Sequence, residues 1–229
     1  MIDIEGGIYL TEWLTQARFT GSEMAKRKKL VALSFDDGPH PNITPNVIGI
    51  LNSNNTQGTF FWIVENAINL SRSNPTLFRN IVSQIKNNGH EIGLHAPNDI
   101  KPTFFSRLFG HFTKNELKKA KETLQDLTGV DVFLYRPHYV QLGPSIIYAR
   151  DLGMTTVLGD VLNSVRPDKP ADSQMGKVDR AKAGSILIFH DGQSVTQKKN
   201  YILDLLPQVI KRLKDNGLNL TSVSKVLRN

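Results

Sequence analysis

The chain has 229 residues, 39% of them hydrophobic, enough apolar material for one globular domain with a substantial core. Its 28 Lys and Arg against 21 Asp and Glu leave a net charge of +7. The lysines are dispersed or sit on helix faces, apart from a small run at 26–29, and no aromatic interleaving accompanies them, which argues against a nucleic-acid partner. The chain has no cysteine, which excludes disulfides, thiolate metal sites and cysteine nucleophiles, so any metal must be held by His, Asp or Glu.

No apolar stretch approaches the roughly 20 residues that span a bilayer. The first residues lack a basic segment followed by a continuous apolar run, so they do not read as a signal peptide. As written the chain reads as cytoplasmic; with a leader removed it would be extracellular or at the cell wall.

Strand-length apolar runs alternate with amphipathic helical segments. "LVALSF" (30–35) precedes a helix over 44–54, opened by Pro45. "GTFFWIV" (58–64) precedes a helix over 75–88, stopped by Gly89. "HEIGLH" (90–95) leads to a helix over 113–129, where Thr113 and Glu116 have capping-box spacing and Gly129 is the stop. "DVFLYR" (131–136), a short helix around 144–152, "TTVLGD" (155–160), "GSILIFHD" (184–191), a helix over 199–216 and "LNLTSV" (218–223) complete the chain. This alternation predicts an α/β fold with about seven parallel strands in a single domain, residues 1–29 forming an N-terminal extension and 30–229 the functional unit.

The strands end in chemistry. The first ends in Asp36-Asp37, the third in His95, the fourth in Arg136, the fifth in Asp160 and the sixth in His190. Asp, Gly and Pro punctuate chains, so "DDGP" alone could be a turn. A barrel gathers every strand end on one face, whereas a doubly wound sheet gathers only those at its switch point. Ionisable groups at five strand ends therefore favour a barrel with a site at its mouth.

These residues resemble the polysaccharide deacetylases with NodB-like homology, a family that includes chitin and peptidoglycan deacetylases. The resemblance spans roughly residues 30–225. "LSFDDGPHPN" is similar to the family's first motif, "TFFWIVENA" to the segment after it, "NNGHEIGLHAPND" to the second motif, "YRPHY" to the arginine–proline motif and "GSILIFHDG" to the closing one. The resemblance implies a distorted (β/α) barrel and metal-dependent removal of N-acetyl groups from an N-acetylglucosamine-containing polymer.

It also implies roles. Asp36 would be the catalytic base, Asp37 and His95 metal ligands, Arg136 the group that orients the base, and His190 the general acid. The backbone N–H near Tyr139 would help hold the oxyanion. The ion would be divalent, zinc first, with manganese, cobalt and magnesium as alternatives. Adjacent carboxylates can then divide the work, one taking a proton and one holding the ion.

The chain departs from the family pattern in three places. Where the second motif usually closes on a histidine, this chain has Asp99, which would make Asp99 the third ligand. A second ligating carboxylate would bring a divalent ion and its ligands to zero net charge, which is expected to weaken zinc in favour of harder ions. The third motif carries His138 and Val140 where proline and glycine are usual, and His138 reads as local packing. The aspartate that tunes the catalytic histidine is not legible, with Asp160 or Asp168 as stand-ins. His40 reads as a turn residue, His90 as a buried neighbour of a strand, His111 as solvated, and Phe60, Phe61 and Trp62 as core. Trp13 lies outside the matched region. Two other readings compete: a carbohydrate-binding relative that lost catalysis, which Asp99 favours, and a hydrolase of a small amide. The intact set Asp36, Asp37, His95, Arg136 and His190 favours the deacetylase, because a binder gains little from an acid/base pair.

Overall fold

Strand β1 (Leu30–Gly38) is the centre of a parallel sheet, flanked by β2 (Gly58–Ile63) on one side and β6 (Ile186–His190) on the other. The computed structural model describes residues 17–100, 112–140, 143–160, 169–170, 172–192 and 201–228. Trp13, His111 and Asp168 lie outside them. With β3 (Glu91–Ala96), β4 (Leu134–Tyr135), β5 (Thr155–Thr156) and β7 (Asn219–Thr221), the order is β5-β4-β3-β2-β1-β6, and β7 pairs with the start of β1. Every pairing is parallel.

The sheet curls until its ends approach each other. Arg18 bridges Val157, Leu158 N–H donates to the Arg18 carbonyl (2.8 Å), and Asp160 N–H donates to the Ile186 carbonyl of β6 (2.9 Å). The result is the distorted barrel expected from the strand pattern. The described part of the first 29 residues belongs to its wall: α1 (Glu23–Arg27) is capped by Ser22, and Gly21 N–H donates to the Gly184 carbonyl (2.7 Å).

Side-chain alternation sorts the core into two layers. Val31, Leu33 and Phe35 of β1 and Phe60 and Trp62 of β2 face outward into the main hydrophobic cluster. There they meet α2 (Thr44–Ser53), α4 (Pro75–Asn87), α5 (Lys114–Thr128) and α8 (Ile202–Asp215). The opposite parity supplies a smaller interior cluster: Ala32, Phe61, Leu134, Val157 and Ile186, closed below by Val223 and Val226 of α9 (Val223–Leu227). On the same interior face, further up the strands, stand Ser34 and Asp36, so the barrel changes from apolar to polar toward its mouth. Gly93 of β3 is needed in that transition. A Cβ there would sit 2.7 Å from the Phe61 ring and 3.2 Å from the Leu134 carbonyl.

The capping box at Thr113 and Glu116 and the left-handed Gly129 bound α5 as the sequence predicts. Helix α3 (Val64–Ser73) was not predicted. It leaves β2 with no capping side chain at Ile63, and its boundary with α4 is set by Asn74, which caps α4 ahead of Pro75. Strands β4 and β5 pair over two residues each rather than the six expected, because Pro137 has no N–H to continue the β4 ladder. Helices α6 (Pro144–Asp151) and α7 (Asp172–Val178) complete the layer. Among the described residues, no helix is long and apolar enough to cross a membrane.

Candidate metal centre and active site

In a regular strand Asp36 and Asp37 would point to opposite faces of the sheet. Here β1 bulges between Asp36 and Gly38, and Asp37 takes a left-handed backbone (φ 71°). The bulge turns Asp37 toward the same interior space as Asp36. Asn66 of α3 fixes it by donating to the Asp37 carbonyl (2.9 Å). Gly192 passes so close that a Cβ would lie 2.2 Å from that carbonyl oxygen.

Asp36 is buried and bound to Arg136, whose Nη1 donates to Asp36 Oδ1 and to Ser34 Oγ, both at 2.8 Å. Arg136 Nε donates to the Val157 carbonyl (3.0 Å), and the guanidinium lies 4.1 Å above the Phe61 ring. Burial lowers the Arg136 pKa, while Asp36 raises it. His190 is the register partner of Asp36 on β6, which brings the expected base and acid to adjacent strand ends.

His95 ends β3 with its tautomer set. A carbonyl can only accept, so Nδ1–H donates to the Arg136 carbonyl (2.9 Å) and Nε2 faces Asp37 Oδ1 at 3.2 Å. Burial disfavours the charged imidazole, but Asp36 and Asp37 outweigh it and raise the pKa. Burial pushes the Asp37 carboxyl up, yet the close approach of His95, with His190 and His138 nearby, holds it well below the usual range.

His138 follows β4 on a 3₁₀ turn (His138–Val140) and packs edge-on against His95, with ring centroids 4.7 Å apart. Its Nδ1 lies 3.6 Å from Asp37 Oδ1 and its Nε2 lies 3.3 Å from Asp99 Oδ1. Burial, then the charge of His95, pushes its pKa down to about 4, which leaves the neutral imidazole that metals bind. Asp37, His95 and His138 each offer a ligand atom, all within 4.8 Å of one another. Asp37 Oδ1 and both ring nitrogens of His138 are buried without an aligned hydrogen-bond partner. Two neutral imidazoles and a carboxylate, with orphaned atoms converging, suit a divalent cation.

The family model for polysaccharide deacetylases matches residues 23–157. The chain belongs to the polysaccharide deacetylase family. It is 28% identical over 210 residues to a peptidoglycan-N-acetylglucosamine deacetylase of Bacillus cereus, covering 90% of this chain and 92% of that one. It is 26% identical over 227 residues to a bifunctional xylanase/deacetylase of Pseudobutyrivibrio xylanivorans, covering 97% of this chain but 35% of that protein, so it corresponds to about a third of its length. Among solved structures, a peptidoglycan N-acetylglucosamine deacetylase in complex with 4-naphthalen-1-yl-N-oxidanyl-benzamide superposes with a TM-score of 0.74 at 26% identity, covering 94% of this chain and 95% of that one.

Within this family member the barrel mouth brings together Asp36, Asp37, His95, Arg136 and His190, with Tyr139 beside them. Tyr139 has a left-handed backbone (φ 58°), is 51% exposed, and touches the His138 ring at 4.3 Å. The third corner of the candidate metal cluster is occupied by His138, not by Asp99, and the reading of His138 as packing gives way to that geometry. Asp99 stands behind His138, 45% of its side chain exposed. Asp160 accepts from Ser185 Oγ (3.2 Å) just ahead of β6, five residues before His190, or roughly 16 Å at strand rise.

Asp191 was missed. It is fully buried next to His190 in sequence and accepts from Thr44 Oγ1, and burial, with Asp37 and Asp36 adding their charge, raises its pKa to about 7. In sequence it only closes the strand run 184–191; a signal lay in Thr44, at the start of a helix, whose hydroxyl donates to it. His40 is the turn residue expected: its Nδ1 accepts from the backbone N–H of Asn42 (3.1 Å) and Ile43 (3.2 Å). His90 is buried, accepting from Gly58 N–H (3.1 Å) with Nε2 3.0 Å from Asn52 Oδ1. A cleft of about 200 Å3 runs from Asp37 past Pro39 and His40 to Asn66, Asn69 and Leu70.

Proposed function

We propose that this chain is a metal-dependent de-N-acetylase of a polymer containing N-acetylglucosamine, of the peptidoglycan or chitin type. The observation that carries this reading is the convergence of an acid/base pair on adjacent strand ends with a cluster of three metal-ligating groups. Asp37, His95 and His138 would hold the ion, with zinc the first expectation for an Asp-His-His set. Such an ion supplies Lewis acidity to the amide carbonyl and makes a nearby water more acidic.

The remaining steps belong to the protein. Asp36, ionised and aimed by Arg136, takes the proton of the water that adds to the amide carbon. The Tyr139 N–H would meet the developing oxyanion. The C–N bond then breaks as His190 gives its proton to the departing amine, leaving acetate and a free amino sugar. The cleft beside Asp37, lined by the amides of Asn66 and Asn69 and by apolar Pro39 and Leu70, suits a neighbouring sugar ring.

The test is acetate release from chitooligosaccharides and from peptidoglycan, with the protein stripped by chelator and then given zinc, cobalt or manganese. Metal-restored release that His190→Ala lowers by roughly 10²–10⁴-fold supports the reading. Binding of both glycans with no acetate released under any metal would favour a non-catalytic relative.

A further inference from the structure

The two departures from the family pattern, Asp99 in the second motif and His138 in the third, are 39 residues apart in sequence, yet they touch. His138 Nε2 lies 3.3 Å from Asp99 Oδ1, while the opposite ring nitrogen, Nδ1, faces Asp37 Oδ1 at 3.6 Å. Each His138 nitrogen therefore looks at a different carboxylate, one inside the candidate metal cluster and one outside it. The His138 side chain is 8% exposed and Asp99 45%, so the imidazole is closed in and the carboxylate approaches it from the solvent side. Neither ring nitrogen has an aligned hydrogen-bond partner.

We propose that the third metal ligand of this protein is His138, binding through Nδ1, and that Asp99 is the carboxylate that orients His138 from behind. The inference rests on the deacetylase reading only in assuming that a divalent ion occupies the Asp37–His95–His138 cluster. Donation of Nε2–H to a carboxylate fixes the tautomer that leaves Nδ1 free, and it makes that nitrogen a better donor; partners of this kind change metal affinity by roughly 10–100-fold. His95 is held in the complementary way, with Nδ1–H on the Arg136 carbonyl and Nε2 toward Asp37. The two imidazoles thus enter the cluster with opposite nitrogens, each locked by an acceptor on its far side.

Two consequences separate this arrangement from one in which Asp99 ligates. The ligand set is one carboxylate and two neutral imidazoles, so zinc binding is not weakened by a second ligating charge, contrary to what the sequence alone suggests. His138 and Tyr139 are also consecutive on one turn and in ring contact, so a ligand bond at His138 holds the turn that presents the Tyr139 N–H.

The experiment is a zinc affinity measurement by chelator competition, without substrate, on the full chain and on His138→Ala, Asp99→Ala, Asp99→Asn and Asp37→Ala, with the melting temperature of each stripped protein as a folding control. Loss by His138→Ala comparable to that by Asp37→Ala, a loss of roughly 10–100-fold by Asp99→Ala, and a smaller one by Asp99→Asn support the proposal. Asp99 is half exposed, so its variants should melt as the unmodified stripped protein does. The proposal is overturned if Asp99→Ala loses zinc as completely as Asp37→Ala while His138→Ala retains it, or if Asp99→Ala binds zinc unchanged. Unchanged zinc binding by Asp37→Ala would instead overturn the metal centre itself, whatever glycan the enzyme acts on. Substituting cobalt adds a check by absorption: His138→Ala must shift the visible bands, and their persistence unaltered would remove His138 from the coordination sphere.

Discussion

Arg136 Nη1 and Asp36 Oδ1 stand 2.8 Å apart with both side chains closed to solvent, so the expected catalytic base is one half of a buried ion pair. The pair keeps one carboxylate oxygen engaged and leaves the other to face the barrel mouth. Asp36→Asn removes proton acceptance while leaving the three ligating groups in place. Acetate release should fall by about 10²–10⁴-fold. Zinc content, measured on the same protein, should remain near that of the unmodified chain. Metal loss as complete as in Asp37→Ala would show that the two carboxylates do not divide the work.

The same pair makes a stability prediction. Arg136→Met strands a buried carboxylate without its counter-charge and should cost about 3–5 kcal/mol in urea unfolding. Adding Asp36→Leu removes the stranded charge, so the double variant should be more stable than Arg136→Met alone, although neither is active. A double variant as unstable as the sum of its parts would mean that Arg136 matters for packing over Phe61 more than for charge.

Gly93 joins the fold to that pair. A methyl group at this position would press 2.7 Å from Phe61, the ring on which the Arg136 guanidinium rests, and 3.2 Å from a backbone carbonyl that cannot yield. Gly93→Ala should destabilise by about 1–3 kcal/mol and lower kcat by displacing Arg136, with little change in zinc affinity. Equal losses in metal affinity and kcat would place the damage at His95, two residues on, instead.

Much of this was legible in the sequence because the strand ends carry their chemistry openly: Asp36, His95, Arg136 and His190 end apolar runs, and a barrel gathers such ends on one face. What alternation cannot show is Asp37, which reaches the same space only through a bulge and a left-handed φ of 71°. The approach of Asp99 to His138 was equally hidden, since it is a contact between two loops that no local pattern encodes. Asp191 closed a strand run in the sequence with no role assigned to it, and only the fold brings Thr44 against it. Helix α3 went unseen because Ile63 supplies no cap, and tertiary packing of Val64, Ala67 and Leu70 sustains it in place of a start signal.

The cleft beside Asp37 gives a prediction about substrate length. Asn69 lines it from α3, away from the acid/base pair. Asn69→Ala should raise KM for a polymeric substrate roughly fivefold, about 1 kcal/mol for one hydrogen bond, and leave kcat unchanged. The effect should vanish on a monosaccharide too short to fill the cleft. An equal rise in KM for monomer and polymer would place Asn69 at the reacting sugar.

Asp191 sets the last expectation, a dependence of stability on pH. Its carboxyl is fully buried between Thr44 and the backbone of Gly38, where burial, reinforced by the charges of Asp37 and Asp36, raises its pKa to about 7 against an ordinary value of 3.8. Below about pH 4 both the folded and the unfolded chain hold the proton. Between about pH 4 and 7 the unfolded chain has released it while the folded one has not. The folded state then binds more protons, so stability must fall as pH rises through that window, by an amount on the order of a few kcal/mol. Above about pH 7 both states are ionised and this contribution stops changing. Asp191→Asn keeps an acceptor for Thr44 Oγ1 and removes the ionisation, so the metal-stripped variant should lack the decline. Buried His90, whose pKa burial lowers to about 4, acts in the opposite direction, losing stability as pH falls below its ordinary value, but it is common to both proteins and cancels in their difference. Urea unfolding of the two stripped proteins at pH 4.5 and 7.5 measures that difference. Parallel curves would mean that Asp191 is ionised in the native state across that range.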